Sequence, residues 1–257
     1  MGRGRRRTSL GPVPDRPARL IVVVPSETAP PARLGEWLRA AGLELDERHL
    51  DAGDEVPADL TGHDGLLVMG GPQSSLDDDA TELAPVRALL ARALADDVPT
   101  LGICLGAQLM AQAGGGRTRV GADGPEVGAA LVARRDAAEA DPLFAAVPLS
   151  PDVIQWHHDE VSELPTGATL LASSPRYPHQ AFRVGRRCYA LQFHVETTPE
   201  IVARWADSDP EGVAATPFDA ATVAERAAAV HPDVEEVWAP FAARFADLVR
   251  SARGARV

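Results

Sequence analysis

The chain has 257 residues and a formal net charge of −12, and its 25 basic residues are all arginine; lysine and asparagine do not occur. Those absences exclude a Schiff-base or P-loop lysine, a Cys-His-Asn triad and an N-glycosylation site, and the acidic balance argues against a nucleic-acid-binding surface. Apolar residues at 45% and charged residues at 24% are ordinary globular usage, enough for one α/β domain with a substantial core.

Residues 1–18 are rich in Arg, Gly and Pro without apolar periodicity and read as a disordered tail, with Arg3, Arg5, Arg6 and Arg7 as its basic cluster. Three prolines, Asp15, Arg16 and Arg19 interrupt the stretch Leu10–Leu20, so no secretory segment is expected. No apolar run of about 18 residues suggests a membrane span. Two cysteines, Cys104 and Cys188, make no disulfide framework, which fits a reducing cytoplasm.

Order is expected from Arg19. The β-branched run Leu20–Val24 predicts a buried parallel strand, and Arg33–Ala41 a helix stopped by Gly42. Further strands are expected at Leu43–Leu50 and Gly65–Met69, a helix over Asp79–Asp96, a strand at Pro99–Ile103 and a helix over Leu105–Ala113. This β-α alternation implies a mostly parallel central sheet with helices on both faces, its functional residues in loops at the strands' carboxyl ends. The second half predicts short strands at Val127–Arg134, Val153–Trp156, Ala168–Ser173, His179–Val184 and Cys188–Phe193. Helices are expected at Pro199–Ala206, Asp219–Val230 and Val234–Ala252. The domain reading is therefore a tail over 1–18, one α/β domain over 19–206, and a helical extension over 207–257 packed on that domain.

Gly102-Ile-Cys-Leu-Gly106, between a strand and a helix, has the form of a nucleophile elbow. Glycine on both sides lets strand and helix approach closely, and the helix amino end favours a thiolate at Cys104. Gln192-Phe-His-Val-Glu196 leaves the same sheet edge. There His194 has the chemistry of an acid/base and Glu196 that of its orienting carboxylate. Gly70-Gly71-Pro72 has glycines able to aim a backbone N–H at an oxyanion. Cys188 reads as core. His49, His63, His179 and His231 have no ligand spacing to one another, so no metal is expected.

These three motifs, in this order, resemble the class I (triad-type) glutamine amidotransferases. The likeness covers about residues 19–206, and Cys104 and His194 are 90 residues apart, as in that family. The resemblance implies the flavodoxin-like fold of that family and hydrolysis of the glutamine side-chain amide through a γ-glutamyl thioester on Cys104. His194 and Glu196 would complete the triad, and the N–H groups of Gly71 and Leu105 would form the oxyanion hole. Gln108 and Gly70 would contact substrate. Trp156-His157-His158-Asp159 is similar to a His-x-Asp segment of stand-alone members and of the glutaminase part of GMP synthetase, which places His157 and Asp159 at the pocket wall. Glu126-Val-Gly128 resembles a structural Glu-x-Gly. Val195 departs from the usual proline between His and Glu without removing a functional group.

No cofactor is implied. Residues 207–257 are too short for an ATP-using synthetase, so the ammonia acceptor would lie on a synthetase partner subunit. Two alternatives stay open: a stand-alone hydrolase of γ-glutamyl peptides or amines, and a catalytically silent regulatory subunit.

Overall fold

The computed structural model describes residues 16–77 and 79–255. The tail expected over 1–18 lies outside the described residues up to Asp15, and Ala18 already opens the first strand. The first half is a β-α alternation: β1 (Ala18–Val24), α1 (Ala32–Ala40), β2 (Leu43–His49), β3 (Gly65–Val68), α2 (Leu83–Ala95), β4 (Thr100–Ile103) and α3 (Leu105–Ala113). The second half begins with β5 (Arg117–Val120), β6 (Glu126–Leu131), β7 (Ala133–Arg134), β8 (Asp152–His157) and β9 (Asp159–Glu163). It continues with β10 (Thr169–Ser173), β11 (Ala181–Val184), β12 (Cys188–Leu191), α4 (Pro199–Ser208), α5 (Pro210–Ala214) and α6 (Ala220–Ala255).

The main sheet runs β2-β1-β3-β4-β12-β11-β10-β7. From β2 to β12 all pairings are parallel, and β11, β10 and β7 extend the sheet antiparallel. Side chains alternate across a strand, so β1 feeds two cores. Leu20, Val22 and Val24 pack with Leu34 and Leu38 of α1 and with Trp238, Phe241 and Phe245 of α6. Ile21 and Val23 pack on the other face with Val86 and Leu90 of α2 and Leu109 of α3. Each such fully buried side chain contributes about 1.5–3 kcal/mol. The mostly parallel sheet covered on both faces is therefore as the sequence predicts.

Two expectations need correction, and one ladder was not expected. The single strand expected over Val127–Arg134 is two strands that part at the buried Val132: β6 pairs with β8, and β7 joins the main sheet beside β10. The ladder of β5 with β9 is absent from the sequence reading. It carries charged residues such as Arg119 and Glu160, paired at 2.8 Å, in place of an apolar alternation. The helices expected on either side of Pro232 are one helix, α6, with Pro232 and Pro240 inside it. A mid-helix proline costs about 3 kcal/mol, and burial of Val234, Trp238, Phe241, Phe245 and Val249 along one face outweighs that. Among the described residues no helix is long and apolar enough to cross a membrane.

Candidate active site

Cys104 is the junction between β4 and α3, with φ 50° and ψ −106°. Positive φ is uncommon for a residue with a Cβ and costs on the order of 1–3 kcal/mol, so its surroundings must hold it there. Its N–H donates to the Leu191 carbonyl at 2.8 Å, and its carbonyl accepts from the Gln108 N–H at 3.0 Å. The flanking glycines have no room for more: a Cβ on Gly102 would lie 2.7 Å from the Gly106 carbonyl carbon, and one on Gly106 2.2 Å from the Val68 oxygen. The elbow thus follows from three small facts of sterics, and it presents the sulfur at the amino end of α3.

His194 is held differently from the expectation that its strand runs to Phe193. β12 ends at Leu191, and His194 instead exchanges two backbone hydrogen bonds, at 2.8 and 3.1 Å, with Ile154 of β8. Its Nδ1 donates to Glu196 Oε1 at 2.6 Å, while Glu196 Oε2 accepts the Val195 N–H at 3.0 Å. Both side chains are buried. The Trp205 ring meets the imidazole edge-on, 4.7 Å between centroids. The Trp156 carbonyl oxygen lies 3.4 Å from His194 Nε2 and 3.7 Å from Cys104 Sγ, so it bridges the two. Burial opposes charge on His194, but the Glu196 carboxylate and the Cys104 sulfur outweigh it and hold its pKa well above the ordinary imidazole range. An imidazolium beside a cysteine sulfur is the partner a thiolate nucleophile needs.

These groups open onto a cavity of about 560 Å³ lined by Gly71, Leu105, Gln108, His157 and Asp159 together with Cys104 and His194. The Leu105 N–H belongs to the first turn of α3, which an α-helix leaves without an internal partner. Gly70 lies against the pair rather than on the wall: a Cβ there would be 3.1 Å from His194 Cε1 and 3.5 Å from Cys104 Cβ. Gln108 donates through Nε2 to the Asp159 carbonyl at 3.2 Å and to Gln192 Oε1 at 3.3 Å. Asp159 Oδ2 accepts from Ser74 Oγ at 2.5 Å. His157 is buried between the Asp159 carbonyl, 2.8 Å from Nδ1, and the Glu126 carboxylate, 3.1 Å from Nε2.

Sequence reasoning missed several groups. Gln192 points Nε2 at Cys104 Sγ from 3.7 Å. Asp209 accepts from Trp156 Nε1 at 3.0 Å, His158 Nε2 at 2.9 Å and the Gly212 N–H at 2.9 Å. Its partial burial would raise its pKa, but these hydrogen bonds prevail and lower it. Ser74, Trp205 and Asp209 reach the cavity from segments without a motif; the Asp-Pro helix start at Asp209-Pro210 was the one available signal. Cys188 stands apart: its thiol faces the Val98 carbonyl at 3.3 Å, and burial pushes its pKa up to about 12.

A family model, glutamine amidotransferase class-I, matches residues 34–203. The GMP synthase [glutamine-hydrolyzing] of Helicobacter pylori is 37% identical over 138 residues, which is 54% of this chain and 24% of that protein. The chain therefore spans about a quarter of the length of that relative. The fold resembles the crystal structure of a glutamine amidotransferase from Thermotoga maritima, with a TM-score of 0.79 at 22% identity over 90% of this chain and 98% of that one. A glutamine amidotransferase structure from Methylobacillus flagellatus gives a TM-score of 0.79 at 24% identity, covering 90% and 94%. With 170 residues matched from Leu34 to Ala203, across the elbow and the His-x-Glu segment, the chain belongs to the class-I glutamine amidotransferase family.

Proposed function

We propose that the chain hydrolyses the side-chain amide of glutamine through a triad of Cys104, His194 and Glu196. The observation that carries this reading is the 2.6 Å His194–Glu196 bond beside a strained cysteine at the amino end of α3. Cys104 Sγ, as thiolate, attacks the amide carbon. The oxyanion so formed takes hydrogen bonds from the N–H groups of Leu105 and Gly71. His194 then protonates the departing nitrogen, and ammonia leaves behind a γ-glutamyl thioester. Water attacks the thioester with His194 as base, glutamate departs and the thiol is restored. Glu196 fixes the imidazole so that Nε2 faces the reaction. Gln108, His157 and Asp159 shape the pocket that holds the glutamine.

The fate of the ammonia follows from the same reading. The matched relative is a GMP synthase of which this chain covers 24%, so a synthetase partner is where the acceptor chemistry belongs. A release assay tests the core of the proposal. The wild-type chain should liberate ammonia from glutamine, and Cys104→Ala should lose at least about 10⁴-fold in kcat while its circular dichroism stays unchanged. A glutamine-analogue diazo-ketone should label Cys104 and not Cys188. Ammonia release retained in Cys104→Ala would sink the mechanism, and failure to label would favour a silent subunit.

A further inference from the structure

A second cavity, of about 340 Å³, lies between β6, β8 and the start of α6, walled by Val127, Ala129, Val223 and Phe218. Gln155 of β8 lines it and is only 1% exposed. The Gln155 Oε1 atom is buried and has no hydrogen-bond partner, a condition that costs about 1–3 kcal/mol unless something donates to it.

The orientation of that amide is fixed by its neighbours. The Glu126 carboxylate accepts from Ser174 Oγ at 2.7 Å and from Gln180 Nε2 at 2.7 Å. Gln180 must therefore turn its Oε1 to Gln155, whose Nε2 donates to it at 2.8 Å. Gln155 Oε1 is what remains, and flipping the amide would set two acceptor oxygens, those of Gln155 and Gln180, against each other. At the exposed rim stand Arg176 and Arg226, the latter with its guanidinium 4.6 Å above the Phe218 ring. Neither has a carboxylate within ion-pair reach among the described residues.

We infer that this cavity binds a small carboxylate that carries an apolar ring and an N–H donor. The donor meets Gln155 Oε1, the ring lies on the apolar wall, and the carboxylate takes the arginines at the rim. The cavity is separate from the one that holds Cys104, although Glu126 touches both: it lines this one and bonds His157 of the other.

Calorimetry on the full chain tests this with three probes. Indole-5-carboxylate has all three features, with the N–H and the carboxylate at opposite ends of the ring system, indole lacks the carboxylate, and 1-methylindole-5-carboxylate lacks the donor. The first should bind one to one with a Kd of about 1 mM or tighter, and each of the others at least about tenfold more weakly. The exposed pair Arg176→Ala and Arg226→Ala together should weaken the first probe by about tenfold or more, while Tm falls by no more than about 4 °C for the lost contacts to Phe218 and the Pro125 carbonyl. Prior alkylation of Cys104 should leave binding unchanged. No saturable binding below about 10 mM, equal binding of all three probes, or loss of binding on Cys104 alkylation would each overturn the inference.

Discussion

A cysteine at φ 50° would be relaxed by glycine and not by alanine, which makes the strain at Cys104 measurable. The strain is worth about 1–3 kcal/mol, against an entropic cost of glycine of about 0.5–1 kcal/mol relative to alanine. Cys104→Gly should therefore be more stable than Cys104→Ala by about 1 kcal/mol in urea unfolding, although both lack the thiol. Equal stabilities would mean that the turn is not strained. The Glu196 carboxylate carries a different cost. Its loss in Glu196→Gln should lower kcat by between about 10² and 10⁴ and move the alkaline limb of the pH profile down toward the ordinary imidazole value of about 6.5. The stability effect has a defined sign. Because the folded pKa of His194 is raised, its contribution is full below about 6.5 and is lost as pH rises through the raised value. The stability gap between wild type and Glu196→Gln should narrow over that window, and a gap that widens with pH would contradict the pairing.

At the scale of elements, His194 is coupled to the last helix through packing. Trp238 of α6 is fully buried, donates to the Asp152 carbonyl at 3.0 Å and meets the Phe193 ring at 5.1 Å, one residue before His194. Trp238→Ala should cost about 3–5 kcal/mol, read from urea midpoints, and Trp238→Phe clearly less; a cost below about 1 kcal/mol for the alanine would mean that α6 is not part of the core that seats His194. The elbow was legible in the sequence because Gly102, Cys104 and Gly106 are a local steric statement, with strand and helix patterns on either side. Pro232 misled because a local cost is visible in a sequence whereas the burial of Trp238 and Phe241 that overrides it depends on a distant sheet. β5 and β9 were invisible for a related reason. Their pairing of Arg119 with Glu160 is cross-strand charge complementarity, which has no signature along either strand. Ser74 and Asp209 escaped because they meet the Cys104 cavity only through contacts spanning 85 and 53 residues of chain.

Taken whole, the molecule carries a net charge of −12, and the cavity at Cys104 repeats that bias. Among the described residues its lining includes Asp159 and Asp209 but no arginine, and the chain has no lysine. The His194 imidazolium is committed to Glu196 and the Cys104 sulfur, so away from that pair the two carboxylates favour a cationic ligand group. The α-ammonium of glutamine should therefore matter more than its α-carboxylate. N-acetylglutamine should show kcat/KM at least about tenfold below that of glutamine, a loss of about 1.4 kcal/mol. Glutamine with its α-carboxylate converted to an amide should fall by less. Both differences should shrink as salt rises, because screening at about 1 M shortens the reach of charge to about 3 Å. The reverse order, with the carboxylate dominant, would mean that a cationic group outside this described lining reaches the substrate. If that group belongs to a synthetase partner, mixing the partner in should change the order of the three substrates.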